Sequence, residues 1–289
     1  MKSAFFIILL SLSSCKLADI SNTELDQLDE SEALANQLLV EVVKNQGFDL
    51  LQEHKTYTVR MTDNWPGWIG RMTKIWPEQK STILFNFSFN TFDGQLIFES
   101  GEREGDLIGL QSWNLYHIKK STPHLFEPNS LEVKHKFGLV TIHYFLELGF
   151  RLLNAPYKRY YGKKEKNGKD YDLVFVSWES DKPHPDYDQY VLWINAESGL
   201  IDYCIYTIRE NKNPITRQLH GSIAFRDYRC IDGVKIPFTM PVMINSGALS
   251  PELNDGLIHQ FDLHEFSLGK VDESVLYPFK NIPKIGDAK

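Results

Sequence analysis

Polar groups that could do chemistry are densest in the loop "ESDKPHPDYDQY", where Glu179, Asp181, His184, Asp186 and Asp188 fall within ten positions. Carboxylates at Asp181, Asp186 and Asp188 are the hard oxygen donors calcium prefers, and His184 with Asp186 and Asp188 is a candidate set for a transition metal. The spacing matches no calcium loop, and Pro183 and Pro185 equally suit a stiff, solvated hairpin. A second cluster, "YKRYYGKKEKNGK", sets Lys158, Arg159, Lys163, Lys164, Lys166 and Lys169 against a single acid, Glu165. Such a run can meet lipid phosphates or an acidic glycan, with Tyr160 and Tyr161 stacking on apolar or sugar faces; it also describes a soluble hairpin tip. His259 and His264 are five apart and so lie on opposite faces of an unbulged strand, where they cannot share a metal. The sequence holds no nucleophile elbow, no His-Glu-x-x-His, no phosphate loop, no dinucleotide fingerprint and no cysteine pair at metal spacing. Neither catalysis nor a cofactor is therefore expected, although a site assembled from distant residues would leave no such trace.

The other chemical resource is aromatic surface: 18 Phe, 13 Tyr and 6 Trp. Phe85, Phe87, Phe89, Trp113, Phe137, Tyr144, Phe175, Trp193, Tyr203 and Phe225 are the candidate lining of an apolar binding site. A curved sheet must fill its concave face with its own side chains or with a ligand of apolar body. The sequence leaves both open, because a mid-chain helix could occupy the same space.

The elements that would position these residues are mostly strands. A helix is expected over 32–45, with Ser31 as N-cap and Gly47 as the stop. From Thr56 the apolar period changes to two, giving strands over 56–62 and 68–75 around the turn Asn64-Trp65-Pro66-Gly67. Over 83–92, Phe85, Phe87 and Phe89 alternate with Asn86, Ser88 and Asn90, so one face is dry and the other wet. Asp93-Gly94 turns into 96–99, and 107–116 reads as one further strand. Val133, Phe137, Val140, Tyr144 and Leu148 recur at three and four, predicting a helix over 130–154, with Gly138 or Gly149 as a possible break. Strands then follow over 157–164, 171–180, 189–195, 200–209 and 220–231, with Asn167-Gly168 as the turn between the first two. The last pair turns on Asp232-Gly233 into a strand that Pro237 should end. The whole is a mainly β (α+β) antiparallel sheet of about nine to eleven strands with an N-terminal and a mid-chain helix packed on it.

The strings "YVLWINAESGLIDYCIYTIRE" and "GSIAFRDYRCIDGVKIPF", with the tail "HEFSLGKVDESVLYPF", resemble the outer-membrane lipoprotein carrier and receptor proteins, and more nearly uncharacterised bacterial lipoproteins of that shape. The resemblance implies an open half-barrel wrapped around a lipid-sized cavity that short helices cover. It carries no catalytic signature to transfer. The function it implies is non-catalytic binding of an acyl chain, a lipid or a lipoprotein. The competing readings are an envelope interaction protein with a filled core and, third, a hydrolase acting on glycan or lipid.

At the amino terminus, Lys2 precedes an apolar run over 4–12, too short to span a bilayer and typical of a secretory signal. Leu12-Ser13-Ser14-Cys15 resembles the bacterial lipobox, which implies cleavage before Cys15 and acylation of that cysteine. The expected plan is a signal over 1–14, a lipidated flexible tether over 15–31 and one domain over 32–289. Lys16, where an aspartate would resemble an inner-membrane retention signal, favours an outer-membrane anchor facing the periplasm. A net charge of −7, or −8 once Lys2 is removed, argues against a nucleic-acid partner. The two remaining cysteines, Cys204 and Cys230, fall out of register for a disulfide and are expected to be small buried residues.

Overall fold

The computed structural model describes residues 17–21, 28–119, 121–127, 133–209, 216–245, 250–251 and 256–285. The expected signal segment and Cys15 lie outside them. The chain opens with α1 (Leu28–Gln46) and α2 (Phe48–His54), then runs β1 (Thr56–Asn64), α3 (Gly67–Thr73), β2 (Lys80–Ser88), β3 (Gly94–Phe98), β4 (Leu107–Gln111), β5 (Asn114–Lys119) and β6 (Thr122–Leu125). Two helices, α4 (Val133–Leu146) and α5 (Leu148–Leu153), lead into β7 (Tyr157–Lys166), β8 (Lys169–Ser177), β9 (Gln189–Asn195) and β10 (Ile201–Thr207). The last strands are β11 (His220–Ala224), β12 (Arg226–Ile231), β13 (Val234–Asn245) and β14 (Leu257–Leu268). No described helix is long and apolar enough to cross a membrane.

All pairings are antiparallel in one open 14-stranded sheet, ordered β6-β5-β4-β3-β2-β1-β14-β13-β11-β10-β9-β8-β7, with β12 beside β13. Two meanders are thus joined through β14 and β13, the open half-barrel expected of the sequence, with more strands than the nine to eleven counted there.

Register explains the inner face. Tyr57, Val59 and Met61 of β1 stand opposite Phe87, Phe85 and Ile83 of β2, all buried, while between them Thr58 donates to Asn86 Oδ1 (2.8 Å) on the outer face. The helices lie on the apolar inner side, α1 through Ala35, Leu39 and Val42 and α4–α5 through Leu139, Ile142 and Leu152.

The outer face, expected to be wet at Asn86 and Ser88, is instead covered from both chain ends, and both residues are buried, Ser88 under the Tyr277 hydroxyl. Over β8–β11, Phe175, Val191, Trp193, Tyr203 and Ile205 form a second apolar cluster, closed by the fully buried Ile20. Ala18 N–H donates to Arg217 O (2.8 Å) and Ile20 N–H to Gln189 Oε1 (3.0 Å). The flexible tether expected over 15–31 is therefore corrected in part: residues 17–21 are docked because an apolar strip cannot be left wet, and helix begins at Leu28. Over β2–β5 the chain's other end is strapped down, with Gln95 Nε2 donating to Val275 O (2.7 Å) and Gln111 Nε2 to Phe279 O (2.8 Å).

Other expectations change locally. Ser31 is no N-cap; its hydroxyl accepts the Tyr160 N–H (2.9 Å), tying α1 to β7. The strand expected over 68–75 is α3, whose Trp68 and Met72 are exposed at 66% and 77%. The strand expected over 107–116 is a hairpin turning at Ser112 and Trp113, both at positive φ (50° and 68°) without glycine or asparagine. The run 220–231 is broken at Phe225, whose N–H donates to Asp202 O (2.8 Å). Strand β13 continues past Pro237 and through Pro241 because each stands where the strand has one neighbour: Pro237 beside β12, Pro241 beside β14 before β11 joins at Val242. The mid-chain helix breaks at Glu147, not at a glycine. Gly138 serves close approach instead, since a Cβ there would come within 2.4 Å of the Trp76 ring. Cys204 and Cys230 are unpaired; Cys204 is buried as expected, but Cys230 on β12 is exposed.

Candidate ligand cavity

The inner face is closed at one end and open at the other. At the closed end Phe87 stacks on His143 (centroids 4.2 Å) and Phe89 packs on Phe150 (4.7 Å). Helical spacing places His143, Glu147 and Arg151 one above another. Glu147, with no exposure, accepts from His143 Nε2 (2.7 Å), Arg151 Nη2 (2.8 Å), the Tyr57 hydroxyl (2.9 Å) and Asn90 N–H (3.2 Å). Burial alone would push the Glu147 carboxyl up, but Arg151, His143 and these hydrogen bonds outweigh it and hold it below the usual carboxylate range. Burial pushes His143 down, so the imidazole is neutral; its Nδ1 has no partner to receive a second proton. The cluster clamps α4 and α5 to β1 and to the turn after β2.

Towards the other end of α4 the packing stops and leaves a cavity of about 430 Å³ between the helix and the ends of β9, β10, β13 and β14. Its walls include Phe137, Tyr144, Trp113, Trp178, Tyr206 and Val242. Trp113 is presented by the left-handed hairpin turn, held there because Ser112 N–H donates to Asp93 Oδ1 (2.6 Å) and Lys136 Nζ donates to Trp113 O (3.0 Å). Tyr144 accepts from Trp178 Nε1 (3.1 Å) and stacks on Tyr190 (5.7 Å); burial raises its hydroxyl pKa, so it is neutral.

Polar groups enter the lining at two places. At the rim, Asp188 accepts from Thr207 Oγ1 and Arg209 N–H (both 2.9 Å), and the buried Arg209 guanidinium donates to Ala18 O and to Arg217 O (3.0 Å). On the β1–β14 side, the fully buried Asp63 accepts from Trp76 Nε1 (2.6 Å) and from His259 Nδ1 (3.0 Å). His259 in turn stacks on Trp65, centroids 4.0 Å apart and planes 7° from parallel. Both rings line the cavity.

Of the ten aromatic candidates, Trp113, Phe137 and Tyr144 line this space. Phe85, Phe87, Phe89 and Phe225 lie in the closed core, and Phe175, Trp193 and Tyr203 are on the outer face under Ile20. Strand parity separates the groups: on β9, Tyr190, Leu192 and Ile194 point inward and Val191 and Trp193 outward. Sequence reasoning missed Trp65, Phe92 and His259, because only the pairing of β1 with β14 brings the first and last of these together.

The other polar candidates are used locally. His184 Nδ1 accepts Asp186 N–H (3.0 Å) and His184 Nε2 lies 3.1 Å from Glu179, while Asp188 is committed to the rim. No group of three metal-ligating side chains occurs among the described residues. In the basic run, Lys158 donates to Leu153 O (2.8 Å), Arg159 pairs with Glu32 (2.8 Å), and Lys163 and Lys169 approach Asp172 (3.9 Å) and Asp202 (3.6 Å). His264 faces outward to Thr62 Oγ1 (2.7 Å), on the opposite side from His259, as their spacing requires.

No protein-family model and no curated protein matches the sequence. Solved structures do match in shape. A LolA superfamily protein of Nitrosomonas europaea aligns over 84% of this chain and 96% of its own, with a TM-score of 0.50 and 9% identity. A domain of Vibrio parahaemolyticus described as an outer membrane lipoprotein-sorting protein aligns over 85% and 97%, with a TM-score of 0.50 and 8% identity. At this identity the likeness is one of fold.

Proposed function

We propose that this chain, an open half-barrel of the LolA kind of fold, is a non-catalytic binding protein that takes an acyl chain or another apolar molecule into the cavity beneath α4. The cavity carries this reading. Its volume of about 430 Å³ lies within the range of small-ligand sites, and aromatic and aliphatic side chains dominate its walls. Burial of an acyl chain there would contribute roughly 25 cal/mol per Å² of apolar area.

In the same reading the protein is anchored through acylated Cys15 on the periplasmic side of the outer membrane. Residues 17–21 are rooted at the cavity rim through Arg209 and Gln189. Three residues of chain reach at most about 11 Å, so an anchor at Cys15 would hold the rim close to the lipid surface. The exposed Trp68 and Met72 of α3, between cavity-lining Trp65 and Ile75 in the chain, suit the membrane interface and the entry of an apolar ligand. A net charge of −7 does not favour a nucleic-acid partner.

Native mass spectrometry tests the reading, using the chain from residue 15 with Cys15→Ser, exported into a bacterial periplasm behind a cleavable leader and purified without detergent. Adducts of lipid mass that leave on delipidation are expected. A bare mass together with no uptake of a fluorescent fatty acid would sink the reading.

A further inference from the structure

Resting on the reading of the cavity as a binding site, we infer that it selects its ligand by the head group: an apolar chain ending in an O–H group, carboxyl or hydroxyl, held between His259 and Trp65. One unsatisfied donor and one unused ring nitrogen meet on one stretch of the wall. Trp65 is 4% exposed and its Nε1–H has no hydrogen-bond partner. A buried donor left unpaired is costly and uncommon in a settled core. Beside it, His259 is 9% exposed and uses only Nδ1, towards Asp63.

The tautomer follows from the partners. A carboxylate only accepts, and Asp63 already accepts from Trp76 Nε1, so a proton sits on Nδ1, and in the neutral ring Nε2 carries the lone pair. Asp63 is inaccessible and bonded on both oxygens; stacking on Trp65 and an edge contact with Phe261 (4.6 Å) fix the ring further. The wall therefore presents one acceptor, His259 Nε2, and one donor, Trp65 Nε1–H, on rings held face to face. Their complement is a group that donates and accepts at once. A carboxyl gives its O–H to Nε2 and takes the indole N–H on its other oxygen; an alcohol does both through one oxygen. An ester can only accept, and a hydrocarbon leaves both groups bare. An ionised acid would enter with one proton from solvent, shared between its oxygen and Nε2. No serine, threonine or cysteine is bonded to His259 among the described residues, so the Asp63–His259 pair has no nucleophile to activate and acts as a binding group.

The test measures affinity by calorimetry for dodecanoic acid, dodecanol and methyl dodecanoate, using the chain from residue 15 with Cys15→Ser. Acid or alcohol should bind about tenfold more tightly than the ester, as expected for one buried hydrogen bond. The tighter of the two identifies the head group. His259→Leu should abolish that ratio, whereas Trp65→Phe, which keeps the stacked ring, should weaken all three ligands about equally. The ¹⁵N resonance of His259 Nε2 should move with acid or alcohol and stay with ester, a response that a purely structural histidine would not give. Equal affinity for all three ligands, unchanged in Trp65→Phe, would overturn the inference and leave the apolar cavity standing. Failure of every ligand to bind the parent chain would remove both.

Discussion

One helix, α4, covers the inner face of the sheet, yet it meets the sheet differently at its two ends. Near Leu146 it is clamped by Glu147, His143, Arg151 and Tyr57 over a stack of phenylalanines. Around Phe137 and Tyr144 it bridges a gap of about 430 Å³. The contrast shows how a cavity can persist in a close-packed protein: the helix cannot collapse into the gap while its far end is held by directional, buried contacts.

Placing a charge at each end separates the two most sharply. Phe87→Asp should unfold the domain, whereas Phe137→Asp should leave it folded and empty it of apolar ligand; circular dichroism and ligand uptake read the two outcomes. Truncating the clamp comes next. Glu147→Ala strands Arg151 in the core and should cost about 3–5 kcal/mol in urea unfolding. Phe137→Ala, at a half-buried wall position, should cost under about 1 kcal/mol and weaken ligand binding instead.

The closed end should also carry a pH dependence. His143 has a folded pKa below its ordinary value of about 6.5, so the unfolded chain binds more protons in that window. Stability should be intact above about pH 6.5 and fall as pH drops towards the folded value, by at most about 1.4 kcal/mol per pH unit. Glu147, also lowered, adds a loss in the same direction below about pH 4.3. Melting temperatures from pH 8 to 5 check this, and His143→Leu should flatten the upper part of the slope. The smallest effect on stability is expected on α3: Trp68→Ser with Met72→Ser should change it by less than about 0.5 kcal/mol while slowing ligand uptake from vesicles. Unchanged transfer would remove α3 from the entry route.

Local pattern made much of this legible. The alternation of Phe85, Phe87 and Phe89 with polar residues fixed a strand and its buried face, and Gln189–Asn195 was bounded to the residue. Asp232-Gly233 and Asn167-Gly168 announced their turns because both pairs adopt positive φ (51° and 87°; 53° and 74°). The Ser112-Trp113 turn was illegible because its left-handed backbone is imposed by Asp93 and Lys136, which come from elsewhere in the fold. The helical α3 was read as strand because its seven residues are too few for a period to show.

What the sequence by itself determined was the class of fold, the apolar and polar faces of single strands, and the aromatic material for a site. Those properties depend on residues within a few positions of one another. What only the tertiary structure decided was which aromatics share a space. Parity on β8–β10 sends Phe175, Trp193 and Tyr203 outward to meet Ile20, and the β1–β14 pairing sets His259 against Asp63 and Trp65. These contacts span 150 residues and more of chain, as with the |i−j| of 196 between Asp63 and His259, so no local period can encode them.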